Sequence, residues 1–295
     1  MNNSNKTGAY ISISSVCIFW GISFISTKIC FQWFTPFSLA AVRFIMASVI
    51  LFFIVKFKEK NVAIDKSDYK MFFLAGFTGV FLYFAFENIG LLYLPASLAS
   101  ILLSTIPAFA AVVDSFILKV PFTKKKFISI SLSMLGVALA VGFNVEAELK
   151  DILIGSVLMI LAALSWVVYS YMTAPLHSKY SSIVISYYQN LFGALCFIVF
   201  LPFTHINLTG FNAIGFINLT FLGVVCSALC YLLYNFSIKK LNVLICSIFI
   251  NIMPIITIIT SIFVLNEKFT LLQFLGTVLI IISVFLITQP EIVTE

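Results

Sequence analysis

The 295-residue chain is 62% hydrophobic and only 9% charged, with a mean hydropathy of +1.14, whereas soluble domains carry roughly 25% charged residues. No water-soluble core hides that much apolar surface, so the composition requires a bilayer as solvent. The net charge of +6 sits in short segments between apolar runs, where it is an orientation signal rather than a nucleic-acid footprint.

A helix needs about 20 apolar residues to cross about 30 Å of hydrocarbon. Ten runs of roughly that size follow one another, at 10–31, 37–55, 71–93, 96–118, 127–143, 152–173, 182–203, 214–236, 243–265 and 271–288. The first lacks a small-x-small cleavage site and reads as a retained helix rather than a leader. With the N-terminus cytoplasmic, thirteen lysines fall in inside segments: Lys6, Lys56, Lys58, Lys60, Lys66, Lys70, Lys119, Lys124, Lys125, Lys126, Lys179, Lys239 and Lys240. Only Lys150 and Lys268 fall outside. The excess predicts that both termini are cytoplasmic. The expected fold is an all-α, multi-pass integral membrane protein of ten helices, and the Lys-, Asn- and Ile-rich usage suggests a bacterial cytoplasmic membrane.

Ten runs divide into two sets of five. Five is odd, so the second set enters the membrane inverted relative to the first, with repeats at 1–143 and 152–295 and an external linker at 144–151. Shifted by 147, Asn88 meets Asn235, Pro107 meets Pro254, and Phe122-Thr123 meets Phe269-Thr270, among 13 identities over 56 ungapped positions from Asn88. An offset of 146 pairs Trp20 with Trp166 and Thr27 with Thr173. Inverted repeats of this kind mark secondary transporters, with the substrate path at the repeat interface.

Ionisable residues inside spans are rare, costing about 2.5–3.5 kcal/mol each at mid-helix on insertion scales. Lys28, Arg43, Glu87 and Asp114 are such residues. The topology puts the first three in the outer third of the membrane. Facing lipid they would together cost about 5–10 kcal/mol, so they are expected to face the interior, with Glu87 neutralising one cation. Two readings stay open: an outer gate or substrate-charge site, with Glu87 binding an amine or a proton and Arg43 or Lys28 meeting a carboxylate, or a structural ion pair with Lys28 snorkelling. Their repeat mates are neutral: Tyr234 for Glu87, Gln189 for Arg43 and Ala174 for Lys28. Charge pairing is then expected to close the outside, and Tyr and amide hydrogen bonds the inside. Asp114 precedes a lysine cluster and reads as a local surface interaction.

Pro107 and Pro254 break helices at equivalent positions. Paired breaks are the best sequence pointer to a transporter's binding site, although a packing kink is an equal alternative. The freed carbonyls near Leu103 and Ile250 are expected to face the cavity, and Asn251 to line it. Trp20, Trp166 and Tyr169 offer aromatic walls or ordinary helix packing. Asn88 and Asn235, repeated in both halves, read as structural amides.

All six cysteines lie in spans. Cys226 and Cys230 share a helix face, but no further ligand is near them in sequence. No metal or other cofactor is expected, and no catalytic constellation, Walker motif or nucleotide domain is present, so the chain is not read as an enzyme.

Several segments carry a family resemblance. They are Phe86-Glu87-Asn88-Ile89-Gly90-Leu91-Leu92-Tyr93, then Ala96-Ser97-Leu98-Ala99-Ser100 with Pro107, Asn266-Glu267-Lys268-Phe269-Thr270 with Gly276, Phe19-Trp20-Gly21, and Arg43-Phe44. Together they resemble the EamA branch of the drug/metabolite transporter superfamily over the whole chain. The resemblance implies ten helices in inverted five-helix repeats, alternating access, and substrates such as amino acids, other small metabolites and choline-like cations. One departure is visible. Val120 stands where the first half should carry the Glu that Glu267 supplies in the second. The expected function is therefore secondary transport of a small polar metabolite, an amino acid or related solute, in the export direction. A channel or, less favourably, an intramembrane enzyme is the alternative. The partners are a small-molecule substrate and membrane lipid, without nucleic acid; proton coupling and oligomeric state stay open.

Overall fold

The protein is described by a computed structural model over residues 3–59, 63–117, 123–141 and 148–288. Lys60, Lys119, Val120, Phe122 and residues 144–147 of the 144–151 linker lie outside these residues. The helices are α1 (Asn3–Cys30), α2 (Pro36–Lys58), α3 (Tyr69–Tyr93), α4 (Ala96–Phe116), α5 (Lys124–Val141), α6 (Leu149–Thr173), α7 (Ser182–Ile198), α8 (Ala213–Leu241), α9 (Val243–Leu265) and α10 (Leu271–Thr288). Seven of them, α1 to α4, α6, α8 and α9, are long and apolar enough to cross a membrane, and Phe127–Leu139, Ser182–Ile198 and Leu271–Ser283 are shorter apolar stretches. No strand occurs among the described residues; an isolated antiparallel bridge joins Phe34 to Ile206. This is a multi-pass membrane protein, and its exposed faces carry large apolar side chains such as Phe53, Val157, Phe263 and Phe285.

Local chemistry sets the helix ends. Pro36 opens α2 in the first turn, where its missing N–H costs nothing, while the Ser38 hydroxyl accepts from the Thr35 backbone N–H at 2.9 Å. Asn212 caps α8 by accepting from Ile214 and Gly215, and Asn242 caps α9 by accepting from Ile245. Asn266 ends α9 at φ 54, a left-handed position that Asn tolerates. The run expected to reach residue 203 stops at Ile198, and a 3-10 turn over Leu201–Phe203 follows with Pro202 inside it.

Helix packing maps onto itself when each helix is exchanged with the one five later. Helix α1 packs on α8 and α9, as α6 packs on α3 and α4. Helix α2 packs on α8, as α7 packs on α3. The pairs α2–α7, α4–α9 and α5–α10 close the arrangement. The α3–α7 crossing is close because Gly76 has no side chain: a Cβ there would lie 2.6 Å from the Gln189 carbonyl oxygen and 2.9 Å from the Gly193 nitrogen. Backbone atoms cannot yield as a side-chain tip does, so Gly76→Ala is expected to push α3 off α7 and cost about 1–3 kcal/mol. A lowered melting temperature of the purified protein checks this.

Loops tie both ends of the bundle. At the α2–α3 end, Lys179 Nζ meets Asp68 at 2.9 Å and the Tyr180 hydroxyl donates to the same carboxylate at 2.8 Å. The Lys179 bond, and then the Tyr180 bond, hold the Asp68 carboxyl below its ordinary pKa. A depressed carboxylate stabilises the fold above its unfolded-state pKa, and that contribution is lost as pH falls through the folded-state value. Asp68→Asn is therefore expected to lower stability at neutral pH, with the difference from the native chain vanishing in acid. Thermal unfolding across pH measures it. At the opposite end the Asn207 N–H donates to the Trp33 carbonyl at 2.9 Å, beside the Phe34–Ile206 bridge.

Candidate functional site

The central cavity lies among α1, α2, α3, α4, α6 and α9 and has a free volume of about 20 Å³. Its wall includes Trp20, Arg43, Tyr83, Phe84, Glu87 and Trp166. Arg43 is 1% and Glu87 5% exposed, so neither faces lipid. The Tyr83 hydroxyl, one turn before Glu87, donates to its carboxylate at 3.4 Å. Arg43 Nε donates to the Ser227 hydroxyl at 2.9 Å, and the guanidinium sits 4.5 Å from the Phe84 ring centroid, in cation–π range. Its Nη2 has no hydrogen-bond partner among the described residues.

Expected and observed placements differ at several residues. Arg43 and Glu87 share one wall, but no ion pair joins them, whereas Lys179 pairs with Asp65 and Asp68. Packing of Arg43 on Phe84 and its bond to Ser227 replace the expected charge pairing. Lys28 is not among the residues of this wall and lies within electrostatic reach of Glu267. Asp114 accepts from the Tyr171 hydroxyl on α6. The Ile250 carbonyl, expected to be free, accepts from the Met253 N–H at 2.9 Å because the helix tightens to a 3-10 turn at its break.

Both helix breaks reach the cavity. Helices α4 and α9 are interrupted at residues 104–105 and 250–251, just before Pro107 and Pro254, and Ile106 and Met253, which are repeat mates, line the wall. Asn251 is 9% exposed with an unpartnered Oδ1 and is not among the lining residues. Trp20 and Trp166 meet edge to face at 5.1 Å. Asn88 donates to the Pro36 carbonyl and Asn235 to the Ser186 hydroxyl, each at 3.0 Å, so both amides bridge helices.

Sequence reading missed a second paired feature. Helices α3 and α8 each contain a π-helical stretch, at Phe77–Leu82 and Phe221–Leu229. Wider turns of this type release backbone carbonyls and often occur at functional sites. The Gly79 carbonyl accepts from the Tyr231 hydroxyl at 2.7 Å, and the Cys226 carbonyl from Trp20 Nε1 at 3.1 Å. Gly79 and Cys226 are themselves repeat mates. No residue type signals a π turn, whereas Tyr83 was readable from its place one turn before Glu87.

Beyond Trp166 on α6 comes a buried neutral layer. The Trp166 Nε1 donates to the Tyr234 hydroxyl at 3.1 Å, and Ser170 bonds the same oxygen at 3.1 Å. The Tyr169 hydroxyl donates to Gln189 at 3.0 Å, which also accepts from Asn235 at 3.3 Å. Past this layer, Tyr171, Ala174 and His177 line a second cavity. At the other end of the bundle the Glu267 carboxylate accepts from the Ala96 N–H at 2.6 Å, the Ser97 N–H at 3.0 Å and the Ser97 hydroxyl at 2.7 Å. It caps α4 and fastens the α9–α10 loop to it.

A multi-pass helical fold with a small charged and aromatic central cavity defines a membrane transport protein. The sequence model of the EamA-like transporter family matches twice, at residues 7–142 and 153–289, and the chain belongs to that family, of the drug/metabolite transporter type. It is 26% identical over 288 residues to the Bacillus subtilis protein named "Uncharacterized transporter YetK", covering 95% of this chain and 86% of that one. It is 27% identical over 284 residues to an "Uncharacterized transporter" of Archaeoglobus fulgidus, covering 96% and 98%. A solved crystal structure matches with a TM-score of 0.66 at 15% identity over 98% of both chains, a likeness of fold.

Proposed function

We propose that the chain is a secondary transporter that moves a small zwitterionic metabolite, an amino acid or a close relative, by alternating access. One observation carries this reading: a carboxylate and a guanidinium line the same buried cavity without pairing, and the guanidinium keeps an unpartnered nitrogen. A buried ionic donor left unsatisfied is costly. A solute bearing an amino group for Glu87 and a carboxylate for Arg43 would satisfy both. The cavity is closed down to about 20 Å³, room for roughly one water molecule, so a solute enters it only as the surrounding helices part, which fits alternating access.

The twofold family match and the self-mapping helix packing support two inverted repeats, 1–143 and 152–295, and ten spans with cytoplasmic termini. In that topology Glu267 and the Phe34–Ile206 bridge seal the outer end, while the second cavity opens at the inner end. Solute then enters from the cytoplasm of a bacterial cell and leaves outward, driven by its own gradient or by protons through Glu87. Paired breaks and π turns at the cavity favour moving helices over a fixed pore. Counterflow of radiolabelled amino acids, amines and organic acids in proteoliposomes tests the reading. Saturable exchange of a zwitterion supports it. Single-channel currents would replace the transporter with a channel, and exchange restricted to amines or acids would remove the two-charge site.

A further inference from the structure

The second cavity is the larger, about 380 Å³, and lies where α4, α6 and α8 end and α9 begins. Its wall includes Asp114, Tyr171, His177, Lys239, Val243 and Leu244. His177 is 6% exposed, and neither ring nitrogen has a hydrogen-bond partner among the described residues. An imidazole buried with both nitrogens idle forgoes bonds that water or a ligand would supply. Lys239 stands at the rim, exposed, with its ammonium donating to the Tyr180 carbonyl at 3.4 Å. Asp114 is already engaged by the Tyr171 hydroxyl.

Internal repetition indicates which chemistry fits. Val243 and Leu244 are the repeat mates of Ala96 and Ser97. At the opposite end of the bundle, Ala96 and Ser97 hold a carboxylate, that of Glu267. The mate of Glu267 in the sequence is Val120, which brings no carboxylate. We propose that this cavity is a second ligand site, distinct from the Glu87–Arg43 cavity, that takes a small solute through its carboxylate, with His177 and Lys239 as anchors. One imidazole N–H and the Lys239 ammonium donate to the carboxylate oxygens. The remainder of the solute lies against Ile238 and Leu244. Under the transport reading this site is a vestibule that collects substrate. As a binding site it stands without that reading.

The chain has two histidines, His177 and His205, and His205 is exposed in the α7–α8 loop. Side-chain NMR of the full-length, 13C-histidine-labelled protein in detergent therefore reads the site directly, with His205 as an internal control. Propionate and propylamine, equal in chain length and opposite in charge, are the probes. The expected result is a saturable shift of the His177 signal with propionate, none with propylamine, and an unmoved His205 signal. Lys239→Gln is expected to weaken propionate binding about tenfold, since a charge-assisted bond is lost, and Lys239→Arg to restore most of it. An unchanged melting temperature in these variants reports an intact fold. Glu87→Gln is expected to leave the shift in place, so failure of the central site and failure of this one are separable. No saturable shift with propionate, an equal shift with propylamine, or equal binding in Lys239→Gln would overturn the proposal.

Discussion

Glu87→Gln is expected to lower transport in proteoliposomes at least about tenfold while leaving the melting temperature and elution profile close to native. Glutamine keeps the shape of the side chain and an oxygen that still accepts from the Tyr83 hydroxyl, 3.4 Å away. It removes the charge. Loss of a charged hydrogen bond to an amino group costs about 1.5–3 kcal/mol, and each 1.4 kcal/mol is a factor of ten in affinity. A structural carboxylate would behave differently. Arg43 is not paired with Glu87, so neutralising Glu87 breaks no ion pair and stability has little to lose. Unaltered transport, or a collapse of stability with activity per folded molecule preserved, would make Glu87 a packing residue.

Removing the Glu267 side chain carries the second large expectation. That carboxylate receives two backbone N–H groups at the start of α4 and the Ser97 hydroxyl. Glu267→Ala leaves these donors uncapped at a cost of about 1–3 kcal/mol. The cost falls on the conformation in which Glu267 is latched to α4, so under the proposed alternating access the equilibrium shifts toward one open at that end, by about a decade per 1.4 kcal/mol. Cys30 supplies the readout. It is fully buried near that end, within electrostatic reach of Arg43. In a chain with the other five cysteines replaced, a membrane-impermeant maleimide is expected to label Cys30 roughly tenfold faster after Glu267→Ala. Equal labelling rates would reduce Glu267 to a helix cap without influence on access.

The sequence makes the scaffold readable because the bilayer imposes it. Spans must be apolar and roughly of membrane length, so their positions follow from composition, and an offset of 147 exposes the repeat through Asn88, Pro107 and Thr123. Glu87, Arg43, Trp20 and Trp166 stand out in the same way, as types that hydrocarbon excludes or that a cavity favours, and they do share one wall. Their partners were hidden. The bond from Arg43 to Ser227 spans 184 residues, that from Tyr231 to Gly79 spans 152, and that from Glu267 to Ala96 spans 171. Such pairs depend on helix rotation and crossing, which an apolar run does not encode. Lys28 illustrates the limit: its depth was inferred alongside Arg43 and Glu87, yet its neighbour is Glu267. The single Glu267 latch, by contrast, was foreshadowed by Val120 breaking the repeat.

Tryptophan fluorescence offers the most direct test of the central cavity. Two of the three tryptophans, Trp20 and Trp166, line it, while Trp33 packs on Phe211 away from it. In purified Trp33→Phe protein, emission reports the cavity alone. Titration with a transported zwitterion is expected to change that emission saturably, and Glu87→Gln is expected to abolish the change at the same concentrations. A transported solute that leaves the emission of Trp20 and Trp166 untouched, or that binds equally well without the Glu87 charge, would contradict the assignment of this cavity as the substrate site.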